Sequence, residues 1–445
     1  MITMSRKHRI IVTTLTLLMT FLCLLNQTMM MTALPLISHD MHVSLNIAQW
    51  LTSGYILIIG VITPLTAGIY KRFSNRQLVI SALSFFTVGT LLGCFANNFA
   101  LLLTARLLQA VCNGLLFSFS MTTMVSIYPT KHRGTVIGMT SMMISLGTAF
   151  GPALGCLIIN GLSWHYLFYL MLPCALLTLI ITIWLFPNYS PREDIRLKVG
   201  SVLLSLSGLG LFLIGVTLLA TFAIPSLLMM GCGLILIGYF VYQQLHLQQP
   251  LLQINILRDR SFRDFTIIGL LTFMLRMGSQ QLILVFAEKA LNIGTFMAGL
   301  LVLPGSTINA VGAPIIGKYY DKHGNKIILS GLIVMLISTA TMLLINGTSS
   351  AYWLAVIFTV MMLGYVCIYS PALSSAYHNL TTEQNSEGVA LNTTLRQTAG
   401  AIANTVLIIL ADWPHSFVVG FHNAIIFTIL LIVISIVTFV DYQRH

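Results

Sequence analysis

The sequence predicts an all-α polytopic membrane protein: fourteen transmembrane helices, arranged as two six-helix bundles with a two-helix insert. Three observations predict it. Of 445 residues, 57% are hydrophobic and only 7% charged, against about 25% charged in an ordinary soluble domain. Mean hydropathy is +0.92, which excludes a soluble globular chain and equally a disordered one. The apolar residues also come in runs long enough to cross a ~30 Å hydrocarbon layer as helix. Lastly, the basic residues alternate from loop to loop.

The spans fall near 10–34, 47–70, 77–96, 99–127, 134–159, 164–187, 199–220, 224–246, 264–287, 296–319, 326–346, 351–376, 387–411 and 417–440. At ~22 residues each they leave roughly 135 residues for tails and loops. No separate catalytic or nucleotide-binding domain of ~100–150 residues fits there. The formal charge of +11 is spread through short loops and not gathered into a patch, which argues against nucleic acid. Of the 22 Lys and Arg, 18 fall in the tails and loops of one side. The other side holds only Lys289, while Arg106, Arg276 and Arg396 lie inside spans. The positive-inside rule then puts both termini in the cytoplasm. The seven cysteines all fall within spans and form no C-x-x-C pair, so they read as small buried hydrophobes, not disulfides or metal ligands. The basic, then apolar, N-terminus reads as a retained first helix, because its apolar run is too long for a signal peptide.

The chain repeats weakly. Gly68-Ile69-Tyr70-Lys71-Arg72-Phe73-Ser74-Asn75-Arg76 follows the second span, and Gly317-Lys318-Tyr319-Tyr320-Asp321-Lys322-His323-Gly324-Asn325-Lys326 follows the tenth. Two related bundles over 1–190 and 256–445, with inserted helices over 191–255, follow from this match. Paired six-helix repeats with a site at their interface near the midplane form a transporter architecture.

Arg106 stands in span four within Ala105-Arg106-Leu107-Leu108-Gln109-Ala110-Val111-Cys112-Asn113-Gly114. A guanidinium there costs at least ~2.5–3.5 kcal/mol and survives only against a cavity or partner. It lies ~10 Å below the outer surface, and Asn26 in span one ~12 Å below it, so the two can meet. The alternative is a structural Arg serving neighbouring carbonyls. In span five, Gly147, Gly151 and Gly155 form one smooth face and Pro152 bends the helix. They describe a kinked gating helix, or packing alone.

These segments together resemble the major facilitator superfamily. Arg106 to Gly114 is similar to its span-four signature, Gly147 to Gly155 to its antiporter motif, and the two repeated loops to its loop motifs. Arg133-Gly134-Thr135, Ser163-Trp164-His165-Tyr166-Leu167-Phe168 with Pro173, Leu303-Pro304-Gly305, Ser370-Pro371 and Asn392-Thr393-Thr394-Leu395-Arg396-Gln397-Thr398-Ala399-Gly400 resemble the 14-span drug:proton antiporter branch. The resemblance covers nearly the whole chain in order. It implies the major facilitator fold, alternating access, amphipathic drugs, antibiotics and dyes as substrates, multidrug efflux, and a proton gradient in place of any cofactor. It implies no enzyme activity. Gating would fall to Lys71, Arg133, Gly147, Gly151, Pro152, Gly155, Asp321 and Glu387.

The departures bear on coupling. The branch's first span reads L-D-x-T-x-x-N-x-A-L-P; here it is Leu25-Asn26-Gln27-Thr28-Met29-Met30-Met31-Thr32-Ala33-Leu34-Pro35. An amide cannot titrate, so the usual proton carrier is missing at position 26. The usual acid of the first loop is Lys71, and the usual Arg of span six is His165. None of the eleven acids falls at a span centre. Asp40, flanked by His39 and His42, and Glu288 can look inward from the outer rim and are the candidate proton carriers, with Arg106 and Asn26 beside the path. The alternatives are a solvated outer loop for Asp40 and a Glu288–Lys289 surface ion pair. Glu383 and Glu387 stand where span thirteen begins, and Lys71 faces Glu387 if the family's pairing is kept with its charges exchanged.

Candidate substrate contacts are Asn26, Met30, Tyr55, Arg106, Arg276, Gln280, Asn392 and Gln397. Methionines and aromatics repack around varied apolar ligands, although a methionine stripe also serves as plain core. A central Arg without a central acid favours anionic or zwitterionic compounds, among which quinolone-type drugs satisfy both lines. The expected setting is the cell membrane and the expected state a monomer. The rival is an uncoupled or differently coupled exporter of a metabolite, lipid or peptide. A membrane enzyme lacks support, since there is no H-E-x-x-H, G-x-S-x-G or Walker loop.

Overall fold

The structure, a computed structural model, describes residues 4–189, 199–219, 222–247, 250, 252–412 and 416–444. Arg192, Glu193, Asp194, Arg196, Lys198, the side chain of Glu383 and the expected boundary between the first bundle and the insert lie outside the described residues. The helices are α1 (Arg6–Asp40), α2 (Leu45–Ala48), α3 (Trp50–Ile62), α4 (Thr66–Arg72), α5 (Asn75–Cys94), α6 (Phe99–Ile127), α7 (Arg133–Ile159), α8 (His165–Leu185), α9 (Val199–Leu218), α10 (Ala223–His246), α11 (Arg260–Lys289), α12 (Thr295–His323), α13 (Lys326–Thr341), α14 (Ala351–Ala376), α15 (Thr382–Asp412) and α16 (Phe417–Arg444). No strand occurs among the described residues.

Among the described residues thirteen helices are long and apolar enough to cross a membrane. The second expected span is the exception. It divides into α3, a tight turn over Thr63–Leu65, and α4, leaving a shorter apolar stretch of Trp50–Leu65. Pro64 accounts for the break, because it lacks an N–H and its ring collides with the carbonyl one turn back. Span one is longer than expected. Ser5 Oγ caps the His8 N–H at 3.3 Å, and Pro35 sits inside α1 without ending it. Asp40 is therefore the last helical residue of α1.

One core joins α1 and α5, α6 and α8 through Met19, Met30, Leu83, Phe119 and Phe168. A second joins α11, α13, α14 and α16 through Phe262, Phe286, Met335, Tyr365 and Phe421. Met121 and Val125 of α6 and Ile137 of α7 reach into the second core and tie the two together. The inserted α9 and α10 touch closely: a Cβ on Gly233 would lie 2.6 Å from Phe212 N. Phe212, Leu213 and Val216 of α9 then dock on Leu57 of α3 and on Ala401 and Ile402 of α15. The insert thus bridges the seam between α3 and α15, while α7 against α12 forms the other seam. Trp184, Ile235, Ile337 and Val437 lie on an apolar exterior suited to lipid.

Among the described residues the cysteines are all free. Cys23, Cys94 and Cys112 are buried, but Cys232 is exposed, against the reading of all seven as buried.

Candidate functional site

Arg106 is fully buried, with 0% exposure. Its Nη1 donates to Gln109 Oε1 at 2.9 Å and to the Asn26 carbonyl at 3.5 Å, and its Nε to the Leu51 carbonyl at 3.3 Å. The guanidinium also lies 4.2 Å from the Tyr55 ring centroid, a cation–π contact. Asn26 reaches Arg106 through its backbone; its amide donates instead to Gln109 Oε1 at 3.0 Å, and Gln109 in turn donates to Thr90 Oγ1 at 2.9 Å. The charge is met by a ring of dipoles with no carboxylate in it. Gln109, one helical turn beyond Arg106, is the hub that sequence reasoning missed. Met30 is buried within the first core.

A second pair of buried cations stands in the other core. Arg276 of α11 is 4% exposed and Arg396 of α15 only 2%. Arg276 lies 5.5 Å from the Tyr365 ring, Tyr365 stacks on Tyr369 at 5.3 Å, and Arg396 lies 5.2 Å from the Tyr369 ring. Arg396 also donates to the Tyr369 hydroxyl. It further faces Phe273 of α11 at 5.1 Å and, across the seam, Phe117 of α6 at 5.6 Å. Tyr365 and Tyr369 share one face of α14 because they are four residues apart. Of the other expected contacts, Asn392 is buried and donates to Thr266 Oγ1 at 3.1 Å, while Gln280 and Gln397 are partly buried.

The end that carries the basic loops is tied shut between the bundles. Lys71 of α4 donates to Glu387 of α15, with side-chain exposures of 16% and 3%. Arg133 donates to the Tyr377 carbonyl. Burial pushes the Tyr377 hydroxyl above the usual tyrosine range, so it stays neutral. Asp321 at the end of α12 accepts from the N–H groups of Gly134 and Thr135 at 2.8 and 2.9 Å and from the Thr135 hydroxyl. A carboxylate at these otherwise unpaired amides complements the helix dipole. Ser370 donates to the Gly134 carbonyl at 2.9 Å.

Glycine explains the close approach. A Cβ on Gly134 would lie 2.5 Å from the Gly317 carbonyl, and Gly138 meets Ala313 and Pro314. This is the seam of α7 with α12, and its glycines were not among the expected gating residues. Gly147, Gly151 and Gly155 instead face Leu24, Thr28 and Thr32 of α1, inside their own bundle. Pro152 lies inside α7, which continues through it.

The outer acids stand apart from these clusters. Asp40 has a side-chain exposure of 42% and touches His39 at 3.4 Å. The Glu288–Lys289 pair, the alternative to Glu288 as a proton carrier, does not form. Lys289 is bound to Asp412 of α15 at 2.8 Å, since adjacent helical residues point in different directions. Glu288 is partly buried and has no ion-pair partner among the described residues. No group of His, Cys, Asp and Glu able to hold a metal ion occurs among the described residues.

Comparison with known proteins places this geometry. The chain is similar to the uncharacterized MFS-type transporter YcnB of Bacillus subtilis (strain 168), 32% identical over 392 residues, covering 87% of this chain and 83% of that protein. It is similar to the lincomycin resistance protein LmrB of the same organism, 27% identical over 430 residues, covering 94% and 89%. Its fold matches the crystal structure of the human organic anion transporter MFSD10 with a TM-score of 0.67 at 16% identity, covering 97% and 99%. The family model described as the Major Facilitator Superfamily matches residues 16–404. With that match spanning most of its length, the chain belongs to the major facilitator superfamily and is a multi-pass membrane transporter.

Proposed function

We propose that this transporter is a secondary multidrug exporter. It moves amphipathic drugs or dyes out of the cytoplasm in exchange for protons, by alternating access between the bundles 1–190 and 256–445. It does so as a monomer of fourteen spans in the cell membrane, with both termini cytoplasmic, and draws on the proton gradient without a bound cofactor. The observation that carries the reading is the set of three buried arginines, Arg106, Arg276 and Arg396, kept in a membrane interior where each is costly. A protein that only spanned the bilayer would not keep them. The likeness to a lincomycin resistance protein supports drugs as the cargo.

The basic loops put the tied end in the cytoplasm by the positive-inside rule. The conformation then corresponds to one shut toward the cytoplasm, with Lys71–Glu387, Arg133–Tyr377 and Asp321–Gly134 as its latches. Asp40 and Glu288 carry the proton in this reading, because position 26 holds an amide and the buried acids, Asp264 and Glu387, are already engaged by cations. Arg106 and Asn26 lie beside that path.

The test is dye accumulation in an efflux-deficient cell, with and without a proton ionophore. Lower accumulation that the ionophore abolishes is expected, as is loss of efflux in Arg106→Ala at normal expression. Efflux indifferent to the ionophore would favour an uncoupled exporter of a metabolite, lipid or peptide. Full coupling retained in both Asp40→Asn and Glu288→Gln would remove these acids as carriers.

A further inference from the structure

Building on the export reading, we propose that the ladder Arg276–Tyr365–Tyr369–Arg396 is the binding site for a carboxylate borne by the exported aromatic amphiphile. The pairing of two cations carries the argument. Three oxygens, those of Leu51, Asn26 and Gln109, converge on the single guanidinium of Arg106, whose Nη2 is nonetheless buried without a partner among the described residues. The two arginines of the ladder meet tyrosine hydroxyls in place of carbonyls, Arg396 that of Tyr369 and Arg276 that of Tyr365. Nε of Arg276 and Nε of Arg396 are buried, and neither has a hydrogen-bond partner among the described residues. A guanidinium cannot shed its proton to escape burial. Among the described residues no acid pairs with either arginine. The buried acids Asp264 and Glu387 lie at the basic end and bind Arg260, Arg263 and Lys71.

Two permanent cations, 96% or more buried and linked through two stacked tyrosine rings, therefore have no counter-ion among the described residues. What completes them is an anion from outside. The unused Nε–H beside an Nη–H forms the fork that a carboxylate accepts side-on. The surrounding rings of Phe273, Tyr365 and Tyr369 offer flat faces to an aromatic body. The site also sits where it can be felt by both bundles, because Arg396 lies over Phe117 of α6. Drawing Arg396 toward a carboxylate withdraws it from that contact across the seam.

The test uses the purified full-length transporter in nanodiscs and two fluorescent probes, a rhodamine with a free carboxylic acid and its methyl ester. Binding is read by fluorescence polarisation. The acid is expected to bind about 10-fold or more tighter than the ester, as a charge-assisted pair implies. Arg276→Gln and Arg396→Gln should each lower acid affinity far more than ester affinity and so erase most of that preference, with Arg396→Lys intermediate. Monodisperse elution and an unshifted thermal unfolding midpoint report on folding. Should a variant fail to fold, competition in the parent protein decides: a naphthoate displaces the acid probe and the matching naphthamide does not. Equal affinity for acid and ester, equal competition by naphthoate and naphthamide, or a preference surviving the double Gln variant overturns the site. Energised efflux of the ester without any acid preference defeats the site and leaves the export reading standing. Arginine-dependent acid binding without energised efflux of either probe defeats the export reading and leaves the site.

Discussion

Reversing the charge of Lys71 should loosen the closed end. Lys71→Glu sets a second carboxylate against Glu387, whose side chain is only 3% exposed. Removing one partner of a buried pair costs about 3–5 kcal/mol, because the other charge is left uncompensated. Lys71 retains 16% exposure, and that access to water brings the expected penalty down to roughly 2–3 kcal/mol. At ~1.4 kcal/mol per tenfold, the equilibrium moves roughly 30- to 150-fold toward states with the basic end apart. Adding Glu387→Lys restores an opposite-charge pair. A lysine near the start of α15 opposes the helix dipole by about 0.3–1 kcal/mol, so the rescue is partial.

The assay is electron-electron distance measurement between spin labels on Arg72→Cys and Asn379→Cys, exposed positions on opposite bundles, in a background with the native cysteines replaced. The parent should give one short distance and Lys71→Glu a dominant longer one. The double reversal should recover most of the short population. A single variant as closed as the parent, or a double variant no more closed than the single, would refute the reasoning that this pair holds the bundles together.

Gly134→Val should abolish transport at normal expression and widen the same label distance, because its Cβ would lie 2.5 Å from the Gly317 carbonyl and backbone cannot yield there. Gly151→Val should instead destabilise the first bundle by about 1–3 kcal/mol through overpacking. Its Cβ would overlap Thr28 Oγ1, so Thr28→Ala should restore much of the loss in melting temperature, read by thermal unfolding in detergent. Asp321→Asn keeps one oxygen acceptor at the start of α7 but loses the charge, and should shift the label populations toward open by about tenfold or less.

Much of this was legible because charge is rare in an apolar chain. Arg106, Arg276, Lys71, Asp321 and Glu387 stood out for that reason, and the resemblance to the family, with its charges exchanged, pointed to the Lys71–Glu387 contact. Arg396 carried the same signal, a guanidinium inside a span, yet was passed over as part of a motif. Its partners were not legible. Tyr365 and Tyr369 look like any aromatics in an apolar helix until the backbone brings two arginines to their rings. Glycines were harder to sort. Gly134, Gly138, Gly147, Gly151 and Gly155 all lie on α7, and only the packed structure separates the two that meet α12 from the three that meet α1. The break at Pro64 was hidden by the unbroken hydrophobicity around it.

The two repeated loops solve one problem in two chemistries. Each must hold the start of a helix in the opposite bundle. The end of α12 does so with Asp321, whose oxygens take the free amides at the start of α7 and the Thr135 hydroxyl, so the latch draws mostly on backbone from its partner. A lysine has no acceptor for those amides. With Lys71 in the first loop, the grip on α15 has to come from a side chain, and Glu387 supplies it. The exchange therefore makes one latch a side-chain pair while the other rests mostly on backbone amides. The seams differ accordingly. That of α7 and α12 is held by backbone approach through Gly134 and Gly317, by Arg133 and by Ser370 as well as by Asp321. That of α4 and α15 carries the Lys71–Glu387 ion pair and the apolar packing of Leu65 and Ile69 with Ala390, with α9 braced against α3 and α15 beside it. Raising ionic strength weakens a partly exposed side-chain pair more than a carboxylate seated on helix amides. Salt should therefore act on the α4–α15 seam first, and the label pair across it should widen before one placed across α7 and α12.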